Sequence, residues 1–149
     1  MVTLTGGGLV FYIDGTSQHG LVCAATDQST AAEWGCYGTS IVGTSSALNT
    51  EAANTSAIVA GCATAGIAAK LCYDLDLNAY NDWNLPSKDE LNLMYVNLNL
   101  QGLGGFNNNI YWSSSEYNSW TALNFQFSNG ASTNRNKGAV LFVCAVRAF

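Results

Sequence analysis

Short apolar runs near the two ends of the chain predict β-strands. The run at residues 9–13 ends at the turn signal Asp14-Gly15, and a second run covers residues 21–25. Together these two runs predict an N-terminal β-hairpin. Near the other end, residues 141–146 form an apolar run that is long enough for a central strand buried on both faces.

The residues after the predicted hairpin divide into a loop and a helical segment. Residues 27–50 show no strong period, and the aromatic, glycine-rich segment 34–38 predicts an ordered loop packed on the core. Residues 50–74 are rich in small apolar residues at partial i, i+3, i+4 spacing, which predicts a helix. Gly61 and Gly66 predict a break near the middle of this helix.

A second helix is predicted after Pro86. Ser87 and Glu90 have the spacing of a capping box, with Ser87 as the N-cap and Glu90 reaching back to it. The helix is expected to stop near Gln101-Gly102, because glycine readily adopts the left-handed conformation that ends a helix.

The C-terminal third of the chain predicts further strands separated by loops. Tyr111-Trp112 and residues 123–127 have strand character, and Asn129-Gly130 is a strong hairpin signal. A period of two in this region places one set of side chains inside and the other outside. The set expected inside is Leu123, Phe125 and Phe127, and the set expected outside is Ala122, Asn124 and Gln126.

These elements together predict a single domain over residues 1–149. Its class is α+β, with two helices packed on antiparallel sheets. A chain of this length can bury a sizeable core, and no internal repeat or interdomain linker interrupts the pattern.

Composition narrows the classes of partner. Apolar residues make up 48% of the chain and charged residues only 10%, so neutral polar groups must supply most of its solubility. The net charge is −5 and the five basic residues are scattered, which argues against a nucleic-acid partner. The longest uninterrupted apolar run, residues 139–146, is too short to cross a bilayer as a helix.

The N-terminal sequence bears on the compartment. No basic residue precedes the run at residues 9–13, and this run is too short for the apolar part of a signal peptide. We therefore expect a protein that is intracellular as made, a virion component, or a domain of a larger exported protein.

The cysteines show no metal-binding pattern. No pair has CxxC spacing, which argues against a structural zinc site. The odd number leaves at least one thiol unpaired within the chain, and most are expected to be buried thiols, because a free buried cysteine behaves as a small apolar residue. A disulfide between Cys36 and Cys62 is the bond to test first if the protein is exported. The five cysteines are Cys23, Cys36, Cys62, Cys72 and Cys144.

No residue pattern in the chain predicts catalysis or a cofactor. His19 is the only histidine and stands at a predicted turn with no motif around it, so a structural or surface role is expected. Residues 74–78 begin like a calcium loop, but Ala79 and Leu85 occupy the positions of the required glycine and glutamate. Residues 113–115 are serines without the flanking glycines of a nucleophile elbow, and we expect their hydroxyls to bond to neighbouring backbone. We therefore predict no catalytic residue, no metal site and no cofactor.

Asparagine is the outlier of the composition. There are sixteen asparagines in the chain, and ten of them fall between Asn97 and Asn136. Loops and turns account for part of this enrichment, because asparagine tolerates positive φ angles. The other interpretation is a recognition surface, since Asn, Ser, Tyr and Gly offer adaptable hydrogen bonding of the kind found in paratopes. Tyr117, Trp120 and Arg135 would then be its anchors.

Several segments of the chain resemble one family of proteins. They are GGLVFYIDGT and QHGLV near the N-terminus, YNDWNLPSKDELNLMY in the middle, and YWSSSEY and VRAF near the C-terminus. These segments span essentially the whole chain and resemble bacterial and phage domains with a C-type-lectin-like fold, including the variable proteins of diversity-generating retroelements. That fold is shared more distantly with formylglycine-generating enzymes.

The resemblance implies that the C-terminal segment contains fixed and variable positions. In the retroelement proteins this segment is rewritten at template adenines, so adenine-rich codons such as those of asparagine vary, and the variable region here would cover about residues 107–141. The positions that match the family's fixed frame are Tyr111, Trp112, Ser113, Ser114, Ser115, Glu116, Phe127, Gly130, Lys137, Val146, Arg147, Ala148 and Phe149. The positions implied to vary and to contact the ligand are Tyr117, Asn118, Trp120, Thr121, Asn124, Gln126, Thr133, Asn134, Arg135 and Asn136.

The function that the resemblance implies is ligand binding. It implies a receptor- or adhesin-type protein that displays a diversified surface to a protein or glycan on a cell surface and acts at a virion or cell surface. Membrane insertion and enzymatic activity are not implied, and an oligomer is compatible because related proteins can be multimers. Trp112 and Arg147 would be scaffold residues.

Two alternatives to this function stay open from the sequence. Family members that do not vary are lectin-like modules of larger surface proteins, and Leu123 stands where members often carry a tryptophan. An enzyme of the formylglycine-generating or hydrolase type would instead need a pocket that contains His19 or two adjacent thiols.

Overall fold

Two β-sheets and three α-helices make up the part of the chain that the computed structural model describes, residues 4–106 and 108–149. Residue 107, the first of the predicted variable region, and residues 1–3 lie outside the described residues. The α+β class predicted from the sequence is confirmed. The strands are β1 (Leu4–Thr5), β2 (Gly8–Ile13), β3 (Gly20–Cys23), β4 (Ser29–Glu33), β5 (Ile110–Glu116), β6 (Thr121–Gln126), β7 (Ala131–Asn136), β8 (Val140–Val143) and β9 (Val146–Ala148). The helices are α1 (Glu51–Gly61), α2 (Ala68–Tyr73) and α3 (Lys88–Asn97).

The strands form two sheets of four and five strands. The first sheet has the order β1-β2-β3-β9 and is antiparallel throughout. Val10 of β2 pairs with Val22 of β3, so the predicted N-terminal hairpin is confirmed. The second sheet has the order β4-β8-β5-β6-β7 and is antiparallel except between β5 and β8, where Tyr111 pairs with Phe142 in parallel. β7 is therefore an edge strand.

The prediction of one strand at residues 141–146 is wrong. The chain forms β8 in the second sheet, leaves it at Cys144 and Ala145, and then forms β9 in the first sheet. Hydrogen bonds hold the crossing: the Ala24 amide donates to the Ala145 carbonyl (2.9 Å), and the Ala145 amide donates to the Gln28 side chain. Apolar patterning does not reveal this transfer, because the residues on both sides of the crossing are mostly buried.

A strand lies inside the predicted loop at residues 27–50. β4 has the sequence STAAE, and only Ala32 in it is buried, so it carries no strand-like alternation. The strand forms because its backbone pairs with β8, where Ala32 lies opposite Leu141. This pairing depends on residues more than a hundred positions away, which explains why local patterning missed it.

The first helical segment has the predicted break. α1 ends at Gly61, the extended residue Cys62 follows it, and α2 begins at Ala68. Cys62 forms a disulfide with Cys36, which ties the loop at residues 34–38 to the end of α1. The free thiols are Cys23, Cys72 and Cys144, and all three are buried, as expected for most of the cysteines.

The capping box that begins α3 is confirmed. The Glu90 amide donates to Ser87 Oγ (3.3 Å), and the Ser87 amide donates to Glu90 Oε2 (2.7 Å). After α3 a short 3-10 helix, Asn99–Gln101, leads to Gly102, whose φ of 69° is left-handed as predicted. Across the described residues, every helix is too short or too polar to traverse a lipid bilayer.

The second sheet is covered on both faces. Trp112 on one face belongs to an apolar cluster with Trp34 and with residues of α1 and α2. Tyr111 on the other face belongs to a second cluster with Phe125 and with residues of α3. Since successive strand residues point to opposite faces, β5 and β6 lie between two cores, whereas the edge strands β4 and β7 are mostly open to solvent.

Candidate functional site

The turn between β5 and β6 carries two exposed aromatic rings. The amides of Tyr117 and Asn118 both donate to the Thr121 carbonyl (3.1 Å each). Asn118 Oδ1 in turn accepts hydrogen bonds from the amides of Trp120 (2.8 Å) and Thr121 (2.9 Å). Because the turn is held by its backbone and by Asn118, the rings point outward and are 62% exposed at Tyr117 and 52% exposed at Trp120.

β7 presents polar side chains beside this turn. All five residues from 132 to 136 are exposed. Paired residues of an antiparallel ladder share a face, so Arg135 lies on the same face as Ala122, and Asn134 lies on the same face as Leu123. The edge strand therefore displays Thr133 and Arg135 on one face and Asn134 and Asn136 on the other.

The predicted alternation along β6 is confirmed at Phe125 and Phe127, which are buried, and is wrong at residues 122–124. Ala122 and Asn124 are buried, whereas Leu123 is partly exposed. Asn124 lies opposite Trp112 of β5 and is only 1% exposed. Its Oδ1 accepts a hydrogen bond from Thr133 Oγ1 (3.0 Å), and its Nδ2 has no partner among the described residues. Since both faces of β6 are covered, a period of two does not separate inside from outside there. Asn124 is therefore a buried residue and not an outward one.

The remaining predicted contact residues fall into two groups. One group makes side-chain hydrogen bonds within the protein: Asn118, Thr121, Gln126, Thr133 and Asn136. The other group makes no side-chain hydrogen bond and no ion pair in the described part of the chain: Tyr117, Trp120, Asn134 and Arg135. The second group can meet a ligand without breaking a side-chain hydrogen bond or an ion pair of the fold.

A buried ion pair supports the turn from below. Lys137 Nζ lies 2.7 Å from Glu116 Oε2 and donates to the Thr39 carbonyl (2.8 Å). The same Glu116 oxygen accepts the Ile41 amide (2.7 Å), and the ammonium sits 4.6 Å from the centroid of the Trp34 ring. The two charges neutralise each other. Glu116 ends β5 and Lys137 follows β7, and both bond the loop at residues 39–41, so the pair stabilises the fold beneath the turn and is not part of the exposed surface.

The other predicted frame residues also have internal roles. The Ser115 amide donates to Ser113 Oγ (3.1 Å), which is the expected bonding to neighbouring backbone, although the serines lie within β5 and not beyond its end. Ser113 Oγ also donates across the sheet to the Leu123 carbonyl (2.7 Å). Arg147 donates through Nε and Nη2 to the Asp82 carboxylate (2.6 and 2.9 Å). These hydrogen bonds hold the pKa of Asp82 below its ordinary value. Trp112 Nε1 donates to a buried carbonyl at 2.8 Å.

Sequence reasoning missed one exposed aromatic residue of this region. Tyr37 is 55% exposed, and its ring centroid lies 5.0 Å from that of Trp120. It belongs to the segment 34–38, which was predicted only as an ordered loop. The signal was the aromatic, glycine-rich sequence WGCYG, but nothing local shows which strand this loop contacts.

Of the two features named for an enzyme, a cavity lined by His19 is present, and two neighbouring thiols lie outside it. His19 lines a cavity of about 420 Å³ together with Asp14 and Glu51, and neither Cys23 nor Cys144 is among its lining residues. Those two thiols lie side by side in the core, where the hydrogen bond to Cys23 and burial raise the pKa of Cys144. Among residues 4–106 and 108–149, no group of three His, Cys, Asp or Glu side chains is placed to hold a metal ion.

No protein-family model matches the chain, and no curated protein matches its sequence. The assignment of function therefore depends on the chain's own residues. These residues form an exposed turn and an exposed edge strand, and hydrogen bonds and a buried ion pair fix both to the rest of the domain.

Proposed function

We propose that this chain is a ligand-binding protein that presents the β5–β6 turn and β7 to a protein or glycan ligand on a cell surface. One observation carries the proposal: Tyr117, Trp120, Asn134 and Arg135 are exposed and form no side-chain hydrogen bond or ion pair within the described residues. Burial of apolar surface stabilises a protein by about 25 cal/mol per Å², and exposed aromatic rings do not contribute this free energy to folding. Trp, Tyr and Arg are also the residues that contribute most often to binding energy at interfaces.

We further assign the chain to the C-type-lectin-like variable proteins of diversity-generating retroelements. The support comes from the roles of the matched frame positions. Glu116 and Lys137 form the buried pair, Trp112 bonds a core carbonyl, and Arg147 bonds Asp82. In a protein whose surface residues vary between copies, the residues that stabilise the fold should stay constant. The four frame residues named above each make such a stabilising interaction.

The buried thiols weigh against an enzyme of the formylglycine-generating type. A raised pKa keeps Cys144 protonated near neutral pH, and the thiol is a poor nucleophile compared with the thiolate. The cavity at His19 does not contain either thiol of the Cys23–Cys144 pair. Binding is therefore the function that this arrangement supports best.

A fixed lectin-like module of a larger surface protein is the second candidate, and one observation favours it. Asn118, Asn124 and Asn136 were predicted to vary, yet their side chains hold the β5–β6 turn, the β6–β7 pair and the turn after β7. Free variation at these positions would remove those bonds. A near-copy of the coding region for residues 110–149 beside a reverse transcriptase gene would support the variable protein, and a neighbourhood without such a copy would support the fixed module.

The binding proposal is tested by replacing Tyr117, Trp120 and Arg135 together with alanine. We expect the labelled wild-type protein to bind intact bacterial cells from a panel of species and the triple variant to lose this binding, because the exposed anchors are gone. Flow cytometry of the cells measures the binding.

A matched variant controls for the loss of exposed side chains as such. Tyr73, Leu100 and Lys70 are exposed or partly exposed and lie away from the turn, so replacing them with alanine should leave cell binding unchanged. Circular dichroism and thermal melting check that both variants are folded. Equal binding by the folded triple variant and the wild type would refute the site.

A further inference from the structure

Tyr37 and Trp120 form an exposed pair of rings that joins two distant parts of the chain. Their planes are tilted by 57° with centroids 5.0 Å apart, a geometry typical of a favourable aromatic contact. About half of each ring surface is open to solvent. We call this pair the two-ring seat. One ring comes from the C-terminal segment and the other comes from a loop that lies outside it.

Several interactions hold Tyr37 in this position. The Gly38 amide donates to the Ser119 carbonyl (2.9 Å), which fixes the loop to the β5–β6 turn. Gly38 has a φ of +89°, and a Cβ there would lie 3.0 Å from Trp120 Cζ3, so a glycine lets the loop approach the indole. On the other side of Tyr37, Cys36 is bonded to Cys62 at the end of α1.

The backbone of the same loop is also tied to the strand that carries Arg135. The amides of Trp34 and Gly35 both donate to the Lys137 carbonyl (3.1 Å each). Arg135 precedes Lys137 by two residues, so the loop with Tyr37 runs beside the end of β7. The loop that carries Tyr37 and the strand that carries Arg135 are therefore neighbours at this end of the sheet.

The chemistry of this surface favours a protein partner. The exposed residues of the segment 117–136 include one charged residue, Arg135, and no Lys, Asp or Glu. Depletion of Lys, Asp and Glu with enrichment of Tyr, Trp and Arg is the composition of the centre of a protein–protein interface. Arg135 forms no ion pair among the described residues, so a carboxylate of the partner is its natural complement.

We propose that Tyr37 is a contact residue of the binding surface, and that the two-ring seat receives an apolar side chain of a protein partner whose neighbouring carboxylate pairs with Arg135. This inference rests on the proposed binding function and goes beyond it in two ways. It adds a residue from outside the C-terminal segment, and it names a protein rather than a glycan. If the C-terminal positions vary, Tyr37 supplies a constant part of every binding surface.

The test uses a phage-displayed library of random short peptides as the probe. The library is selected on the wild-type protein after removal of all phage that bind the Tyr117, Trp120 and Arg135 triple alanine variant. Enriched peptides are synthesised with a fluorescent label, and their affinities are measured by fluorescence anisotropy. We expect them to share an apolar residue close to an Asp or Glu.

Single variants then distinguish the role of Tyr37 from the binding function of the C-terminal surface. We expect Tyr37→Ala to weaken peptide binding by about tenfold or more, as Trp120→Ala does, because each change removes half of the seat. Tyr37→Phe should retain most of the affinity, and Tyr73→Ala, a change at a similarly exposed tyrosine elsewhere, should retain all of it. Thermal melting confirms that each variant is folded.

The possible failures are distinguishable. Peptides that need Trp120 and Arg135 but bind Tyr37→Ala normally would overturn the role of Tyr37 and leave the proposed function intact. A selection that yields no peptide, while immobilised oligosaccharides bind the wild type and not the triple variant, would overturn the protein partner. Absence of both kinds of binding would overturn the proposed function as well.

Reduction of the disulfide tests whether Cys36–Cys62 affects peptide affinity through Tyr37 or through the general stability of the domain. If Cys36–Cys62 acts by positioning Tyr37, dithiothreitol should weaken peptide binding to the wild type and have no further effect on Tyr37→Ala. An equal loss of affinity in both proteins would contradict this positioning.

Discussion

At the scale of single residues, asparagine serves two different purposes on the same surface. Asn118 Oδ1 accepts hydrogen bonds from two backbone amides and the Thr121 hydroxyl, whereas Asn134 makes no side-chain hydrogen bond within the described residues. Both are exposed, so exposure alone does not identify a contact residue. The useful criterion is whether the side chain already has a partner in the folded protein.

Glu90 makes the stability of the protein depend on pH. Burial, and then the hydrogen bond with the Glu51 carboxyl, raise the pKa of Glu90 to about 8 from an ordinary 4.5. Between these two values the folded protein holds a proton that the unfolded chain releases. The contribution of Glu90 to the free energy of unfolding is therefore complete below pH 4.5 and is lost as the pH rises towards 8.

Glu51→Gln should weaken this dependence, because it removes the neighbouring carboxyl and leaves the burial of Glu90 unchanged. The glutamine removes the acidic neighbour that raises the pKa of Glu90, and Glu51 Oε2 has no hydrogen-bond partner among the described residues that the change would remove. We expect urea denaturation of the wild type to show falling stability from about pH 5 to pH 8, and a flatter profile for the variant. Glu33→Gln, at an exposed site, is the control and should keep the wild-type slope. Parallel profiles for wild type and Glu51→Gln would contradict a contribution of Glu51 to the raised pKa of Glu90.

The buried pair of Lys137 and Glu116 should be costly to break. Lys137→Met keeps most of the side-chain volume but leaves the Glu116 carboxylate buried without its cation. We expect a loss of about 3–5 kcal/mol in the free energy of unfolding, measured by urea denaturation. The surface pair of Lys70 with Asp74 is the control, and Lys70→Met should cost no more than about 1 kcal/mol. Similar costs for the two variants would show that the pair does not support the turn.

At the scale of elements, the loop at residues 34–41 connects the parts of the molecule that carry the surface. Its backbone bonds the β5–β6 turn and the end of β7, and its disulfide reaches the end of α1. The turn is therefore supported from outside the C-terminal segment. Changes in the displayed side chains leave these backbone bonds in place.

The disulfide of this loop should contribute measurably to stability. It closes a chain segment of 26 residues, and the chain-entropy relation gives about 3–4 kcal/mol for a loop of that length. We expect the Cys36→Ser, Cys62→Ser double variant to lose roughly this amount in guanidinium denaturation under oxidising conditions. Addition of dithiothreitol should lower the wild type towards the double variant and leave the double variant unchanged. A wild type that is insensitive to reduction would contradict the assignment of this bond.

At the scale of the whole molecule, the fold separates support from display. β5 and β6 lie between two apolar cores, and the β7 edge and the adjoining turn face solvent. Stability and recognition then depend on different residues. A surface of this kind can change its side chains while the domain stays folded.

This separation predicts opposite effects for two sets of changes. Replacing Tyr117 and Arg135 with alanine should alter the free energy of unfolding by little more than about 0.5 kcal/mol per site, because each side chain is exposed. Trp120→Ala should cost up to about 1.5 kcal/mol, because it also removes the ring contact with Tyr37. Trp112→Phe should cost about 2–4 kcal/mol, since it leaves the buried Ala32 carbonyl without its donor and opens space in the core. Thermal melting and urea denaturation measure both. A large loss in the surface variant would contradict the separation.

The sequence by itself determined the features that depend on near neighbours. The N-terminal hairpin, the Ser87–Glu90 capping box, the helix break after Gly61 and the left-handed Gly102 all follow from residues within a few positions of one another. The α+β class followed from their sum.

Only the tertiary structure decided which elements and side chains meet. The burial of Asn124, the transfer of the chain between sheets at Cys144, the β4 strand and the contact of Tyr37 with Trp120 each depend on residues far apart in the chain. The physical reason is that burial and strand pairing are properties of two packed surfaces, and a periodic pattern describes only one of them.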